Sequence, residues 1–88
     1  MIINTDLKHK ILLFICENCP VDELITLEED ALLSIYKEFN INFDKFHSVL
    51  KNFQDLGLIG ELNARYVAVS FIVKSYAINF SKDGGFKA

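Results

Sequence analysis

The sequence has little of what marks membrane-spanning or secreted proteins. Its 88 residues contain no tryptophan, one proline, four glycines and two cysteines. No apolar run reaches the roughly 20 residues that a bilayer-spanning helix needs. The apolar stretch at residues 11–16 is too short and too regularly patterned for a signal peptide. We therefore expect one domain over residues 1–88, a cytoplasmic location and no membrane partner.

Motifs for catalysis and for metal binding are also scarce. The sequence has no Gly-rich phosphate loop, no H-E-x-x-H and no nucleophile elbow. His47 and Ser48 are neighbours, and neighbours on a helix point about 100° apart, so they do not form a catalytic dyad. We predict no enzymatic activity, no cofactor and no small-molecule ligand.

Cys16 and Cys19 form a single C-x-x-C, which could be a redox pair or half of a zinc site. A structural zinc ion needs four ligands, and no second C-x-x-C or suitably spaced histidine completes the set. The pair also closes a predicted helix, and the dipole at a helix C-terminus opposes thiolate formation. We predict two ordinary cysteines and no metal site.

Strong positive charge is missing as well. The net charge is −3, and residues 1–40 carry three lysines against eight acidic residues, a balance of −5. Residues 41–88 carry six basic against four acidic residues, a balance of +2. A dedicated nucleic-acid binder usually has a pronounced basic patch, and this chain does not. The acidic run between Asp22 and Asp30 could repel DNA, dock a basic partner, or simply be a solvated helix start.

Apolar residues, in contrast, are abundant. The chain is 51% hydrophobic and includes eight phenylalanines. So small a domain fills its core easily, and the remaining apolar surface suggests an oligomer interface or a partner groove.

The first half of the chain predicts two helices. Thr5 or Asp6 caps the first, which ends near Asn18 because the residue before Pro20 is pushed out of the helical region. Residues 20–25 read as a connection. The segment 26–29, Thr-Leu-Glu-Glu, matches a capping box and starts a second helix that reaches about Glu38. Four apolar side chains of this segment are expected to point inward: Leu27, Ala31, Leu32 and Ile35.

The third helix and the hairpin after it carry the clearest local signals. Asn42 can cap the helix, and Gly57 is the expected stop, because glycine enters the left-handed region cheaply. The apolar residues between them recur at three- and four-residue steps on one face: Phe46, Val49, Leu50, Phe53 and Leu56. A short strand at residues 58–62, a tip at Asn63-Ala64 and a return strand at 65–69 follow.

A fourth helix is predicted from Phe71 to about Lys82, capped by Ser70 and broken at residues 83–85. The alternative makes residues 65–73 one longer strand and 76–80 another. If residues 71–82 are helical, Phe71 and Ile78 form an apolar stripe on the side away from the core. This stripe predicts a homodimer through the C-terminal helix, unless the rest of the domain wraps around and covers both faces.

The helix end Asp55-Leu56-Gly57-Leu58-Ile59, with the hairpin behind it, resembles the recognition helix and wing of winged helix-turn-helix domains. Gly84-Gly85-Phe86 is similar to the end of some small bacterial winged-helix proteins. The resemblance implies an α+β fold with a three-helix core, a two-stranded wing and a C-terminal helix. It also implies DNA binding, as in a small transcriptional regulator of bacterial or phage type.

On this resemblance, four residues of the third helix would meet double-stranded DNA, and a fifth would do so from the wing: Lys45, Ser48, Lys51, Asn52 and Arg65. Asp44 and Asp55 lie on the same helical face, so its net charge is about zero. The alternative is a protein-interaction or assembly module that uses the same scaffold without binding DNA.

Overall fold

The computed structural model describes residues 5–87. It is an α+β arrangement of four α-helices and one small antiparallel sheet. The elements in chain order are α1 (Thr5–Asn18), β1 (Leu24–Glu28), α2 (Glu29–Phe39), α3 (Phe43–Asp55), β2 (Ile59–Ala64), β3 (Ala68–Val73) and α4 (Ser75–Lys82). A short 3-10 turn, Gly85–Lys87, ends the described chain. The sheet has the order β1-β3-β2, so β3 is the central strand.

The core lies between the helices and the inner face of this sheet. It is almost entirely aliphatic and aromatic, and no polar or charged residue among those described is fully buried. The largest fully buried side chains include Phe46 and Phe53 of α3, Phe71 of β3, and Ile11 and Leu12 of α1. Burial of such side chains is the main force that holds a domain of this size together.

The predicted end of α1 at Asn18 and the prediction for α3 are confirmed, whereas Thr5 and Asp6, expected as caps, already lie within α1. Asn42 caps α3 in extended conformation, and its side-chain oxygen accepts a hydrogen bond from the Lys45 N–H at 2.9 Å. Gly57 adopts a φ of 80°, the left-handed geometry expected at the helix end. Leu56 is the exception on the apolar face, because its side chain is 48% exposed.

The predicted start of the second helix is wrong. Residues 24–28 form strand β1, in which Thr26 lies opposite Ser70 of β3. Helix α2 begins at Glu29, and Glu28 occupies the cap position without a side-chain capping bond. A strand pair satisfies several backbone groups at once, and this gain exceeds that of one capping box. Ala31, expected to point inward, is exposed.

The predicted fourth helix starts too early. Phe71 lies on β3, where buried and half-buried residues alternate with the period of a strand, and α4 begins only at Ser75. The alternative of one strand over residues 65–73 is correct for residues 68–73 only, because residues 65–67 form a loop. Its second strand at 76–80 is wrong, because these residues belong to α4. β3 has strand neighbours on both sides, and this pairing decides its conformation.

The hairpin formed by β2 and β3 is longer than predicted. β2 ends at Ala64, and residues 65–67 form the hairpin loop. The register between the strands shifts between Gly60 and Asn63, so β2 contains a bulge. Glu61, inside this bulge, has a φ of 52°, which is unusual for a residue with a side chain.

The C-terminal turn packs onto the start of the chain. The Phe86 ring stacks on Phe53 at 5.5 Å and meets Phe80 edge-on at 5.1 Å between ring centroids. The Lys87 Nζ lies 2.9 Å from an Asp6 carboxylate oxygen on α1. Gly85 has a φ of 56°, and a Cβ there would lie 2.8 Å from the His9 ring. The turn therefore needs glycine at this position.

None of the helices between residues 5 and 87 has both the length and the apolar character for crossing a bilayer.

Candidate functional site

Helix α3 and the hairpin form the first candidate site, and two contacts fix their relative position. The Gln54 side-chain oxygen accepts a hydrogen bond from the Leu62 N–H at 2.9 Å. Leu62 follows the strained Glu61 of the bulge, so this bond ties the irregular part of β2 to the last turn of α3. A bulge held in this way sets the direction in which the hairpin leaves the helix.

The second contact is aromatic and lies at the other end of α3. The Phe43 ring lies 4.4 Å from the ring of Tyr66 in the hairpin loop, and 5.7 Å from the His47 ring. Tyr66 is otherwise 76% exposed, and its neighbour Val67 is 59% exposed. The first turn of α3 and the hairpin loop therefore form one continuous surface.

The structure separates the predicted DNA-contact residues by exposure. Lys51 and Arg65 are exposed, whereas Lys45, Ser48 and Asn52 are half-buried. The Ser48 hydroxyl donates to the Asp44 carbonyl at 2.9 Å, a bond within the helix. The Oδ1 atom of Asn52 is buried and has no hydrogen-bond partner within residues 5–87. Of the five residues, Lys51 and Arg65 present their side chains most openly.

The charges around this surface nearly cancel. Three basic residues, Lys45, Lys51 and Arg65, stand against three acidic residues. The acidic residues are Asp44, Asp55 and Glu61, and all three are exposed. Asp44, Ser48, Lys51 and Asp55 follow each other at steps of three or four, so the carboxylates share the outward face with Lys51. The surface has no continuous positive charge to attract phosphates.

A second candidate site is a groove between α1 and α2, which we call the α1–α2 groove. It consists of two adjoining concavities that share Phe14 and Glu38. The smaller, about 270 Å³, is mainly apolar and is lined by Phe14, Leu27, Ala31, Ser34, Ile35 and Glu38. The larger, about 530 Å³, continues along α1 past Leu7, Lys10, Leu13 and Glu17, and along α2 to Phe39.

Only an indirect signal in the sequence points to this groove. A second helix that starts at Thr26, as the capping-box match predicts, would point Leu27 and Ala31 into the core. With residues 24–28 in β1, Ala31 instead lies exposed on α2 and Leu27 is half-buried. The surplus of apolar residues pointed to a partner groove, but not to its position.

The predicted dimer stripe is not formed. Phe71 is fully buried on β3, covered by its own chain, and cannot share a helical face with Ile78. Ile78 is half-buried on α4. The exposed aromatic residue of this helix is Tyr76, at 54%.

Cys16, Cys19 and His9 do not line the α1–α2 groove. Burial raises the pKa of both the Cys16 and Cys19 thiols, which keeps them protonated at neutral pH. Within residues 5–87, no three His, Cys, Asp or Glu side chains lie close enough to hold a metal ion. The His9 Nδ1 atom is buried against the C-terminal turn without a hydrogen-bond partner among these residues.

The chain matches no family model, no curated protein and no solved structure.

Proposed function

We propose that this chain is a protein-interaction module built on a winged-helix scaffold, and that the α1–α2 groove is its docking surface. The observation that carries the proposal is the open, mainly apolar concavity lined by Phe14, Leu27, Ala31 and Ile35. Apolar surface exposed in a concave site is typical of binding sites. The proposal includes no catalytic step and no cofactor.

The order of the elements supports the winged-helix part of the proposal. Three helices precede a hairpin that is held against α3 by the Gln54 and Phe43 contacts. Strand β1 enlarges the sheet to three strands without changing this order. The short helix α4 follows the hairpin, as the resemblance predicts.

The charge of the α3 surface supports the choice of protein over DNA. Each phosphate contact made by Lys or Arg contributes to affinity through counterion release. Here, three acidic residues offset the three basic ones, and two of the acidic residues share the outward face with Lys51. Binding of an apolar partner side chain in the α1–α2 groove does not depend on a positively charged surface.

The test is a selection of peptides from a random display library on the immobilised protein. Selected peptides should bind the wild type and lose binding to Ala31→Arg, which places a long charged side chain in the groove. Leu33→Arg is the matched control, since Leu33 is 56% exposed on α2 and does not line the groove. Peptides that bind all three proteins equally, or no selectable peptide at all, would overturn the proposal.

DNA binding through α3 is the second candidate function. Lys51 and Arg65 are both exposed, and the Phe43–Tyr66 contact joins the elements that carry them. On this alternative, Lys45, Ser48 and Asn52 would make further contacts in the groove of the DNA.

Fluorescence anisotropy with generic duplex DNA decides between the two functions. The DNA alternative requires binding at about 50 mM salt that falls steeply by about 200 mM. It also requires that Lys51→Glu abolishes binding while Lys37→Glu on α2 does not. Absence of binding at the low salt is the outcome expected for a protein-interaction module.

A further inference from the structure

We propose that the occupant of the α1–α2 groove is an amphipathic helix of a partner protein, with a leucine-type apolar face and a basic flank. This inference rests on the proposed function and adds the chemistry of the partner.

The shape of the groove points to a helix. On α1, the lining residues Leu7, Lys10, Phe14 and Glu17 recur at steps of three and four. They form one helical ridge roughly 15 Å long, since each residue rises by about 1.5 Å. The face of α2 that carries Ala31, Ser34, Ile35 and Glu38 is shorter, roughly 10 Å, and meets this ridge at Phe14. Two helical surfaces of these lengths accept about two turns of a further helix, with apolar anchors at i, i+3 or i+4 and i+7.

The small side chains that line the smaller concavity indicate where the apolar side chains of the partner helix would bind. Ala31 and Ser34 have small side chains, and together with Leu27 and Phe14 they line the concavity of about 270 Å³. A leucine or phenylalanine side chain that enters this space would exchange water for contact with Phe14 and Ile35.

The charge around the groove points to a basic flank. Glu17 and Glu38 line it, and both are exposed, against the single lysine Lys10. The lining residues therefore carry two negative charges and one positive charge. Lys8 does not line the groove, and its Nζ lies 4.8 Å from the centre of the Phe86 ring in the C-terminal turn. Complementary charge at the rim of an interface selects the partner and speeds association.

The test uses two synthetic peptides of about 15 residues with the same leucines at helical spacing. One carries lysines on its polar face and the other carries glutamates. A third peptide has the composition of the lysine peptide in scrambled order, which keeps the charge and removes the apolar face. Binding to the ¹⁵N-labelled protein is followed by NMR shift changes and quantified by anisotropy.

The lysine peptide should bind about tenfold more tightly than the glutamate peptide, and the shift changes should map to α1 and α2. Ala31→Arg should weaken this binding at least about tenfold, whereas Leu33→Arg should not change it. Glu38→Lys should weaken the lysine peptide and strengthen the glutamate peptide. The matched charge control is Glu29→Lys, at an exposed residue of α2 that does not line the groove. It should have a much smaller effect on both peptides.

Three outcomes would overturn the inference, and they differ in what they leave standing. If the glutamate peptide binds in the groove as tightly as the lysine peptide or more tightly, the partner has no basic flank, but the proposal of a protein-interaction module stands. If the scrambled peptide binds as tightly as the lysine peptide, the peptide is bound through its charge alone and no amphipathic helix is recognised. If neither helical peptide binds, while the selected library peptides still lose binding to Ala31→Arg, the partner is not a helix but the groove remains the docking surface.

Discussion

Gln54 connects α3 to the hairpin through one hydrogen bond, and its removal should loosen the hairpin. Gln54→Leu leaves the part-buried Leu62 N–H without its acceptor, which we expect to cost about 1 kcal/mol of the free energy of unfolding. Urea denaturation measures this loss, and NMR shifts should change most at residues 60–63. Gln54→Glu keeps an acceptor oxygen and should stay close to wild type. Equal losses in both variants would mean that the bond does not hold the bulge.

Lys87 controls the ionisation of Asp6. The hydrogen bond from Lys87, followed by its positive charge, holds the pKa of the Asp6 carboxyl below the usual 3.8. Because the pKa is lowered in the folded state, the contact stabilises the fold above pH 3.8. The stabilisation is lost as the pH falls through the folded-state value.

We therefore expect Lys87→Ala to raise the Asp6 pKa toward 3.8 in an NMR titration of the carboxyl carbon. Lys82→Ala removes an equal charge from α4 and should leave the Asp6 pKa in place. An Asp6 pKa that is unchanged by Lys87→Ala would place the cause of its shift elsewhere on α1.

At the scale of elements, β3 is the strand on which the sheet depends. It pairs with both β1 and β2, and its Phe71 side chain is fully buried. Phe71→Ala should cost about 3–5 kcal/mol, the usual loss when a buried phenylalanine leaves a cavity. Tyr76→Ala on α4, where the side chain is 54% exposed, should cost no more than about 1 kcal/mol. Similar losses for the two variants in urea denaturation would contradict the different burial of these residues.

The elements also differ in how far the sequence predicts them. α3 follows from residues within it or directly beside it: the Asn42 cap, the apolar spacing and Gly57. β1 and the second half of β3 do not, because β1 is a strand through its pairing with β3, and β3 is a strand through its pairing with both β1 and β2. Thr26 and Ser70 pair although 44 positions separate them (70 − 26). The local capping-box match at 26–29 and the capping residue Ser70 therefore favoured helices that long-range pairing excludes.

The candidate sites differ in the same way: features that depend on nearby residues are predicted from the sequence, and features that depend on long-range pairing are not. The polar residues on α3 were identified, since they depend on helical spacing alone. Their partial burial, and the position of Glu61 as a third acidic residue near them, required the structure. The α1–α2 groove depends on where α2 begins, and thus on the pairing of β1.

At the scale of the whole molecule, the burial of Phe71 changes the expected oligomeric state. The prediction of a homodimer came from a helix with two apolar faces, and the second face is not formed. We expect sedimentation velocity to give a single species near the chain mass of 10.1 kDa at micromolar concentration. Ile78→Asp should leave that species unchanged. A dimer that dissociates in this variant would restore the interface on α4.

The C-terminal turn has one more consequence. The contact between Lys87 and Asp6 holds the two ends of the described chain 2.9 Å apart at their side-chain tips. A short Gly/Ser linker could therefore join residue 87 to residue 5, and new ends could be opened in the exposed loop at 65–67. Such a circular permutant would keep the strand pairs of the sheet while moving both ends to the hairpin loop, next to the Phe43–Tyr66 contact. Tags placed there would leave the α1–α2 groove clear.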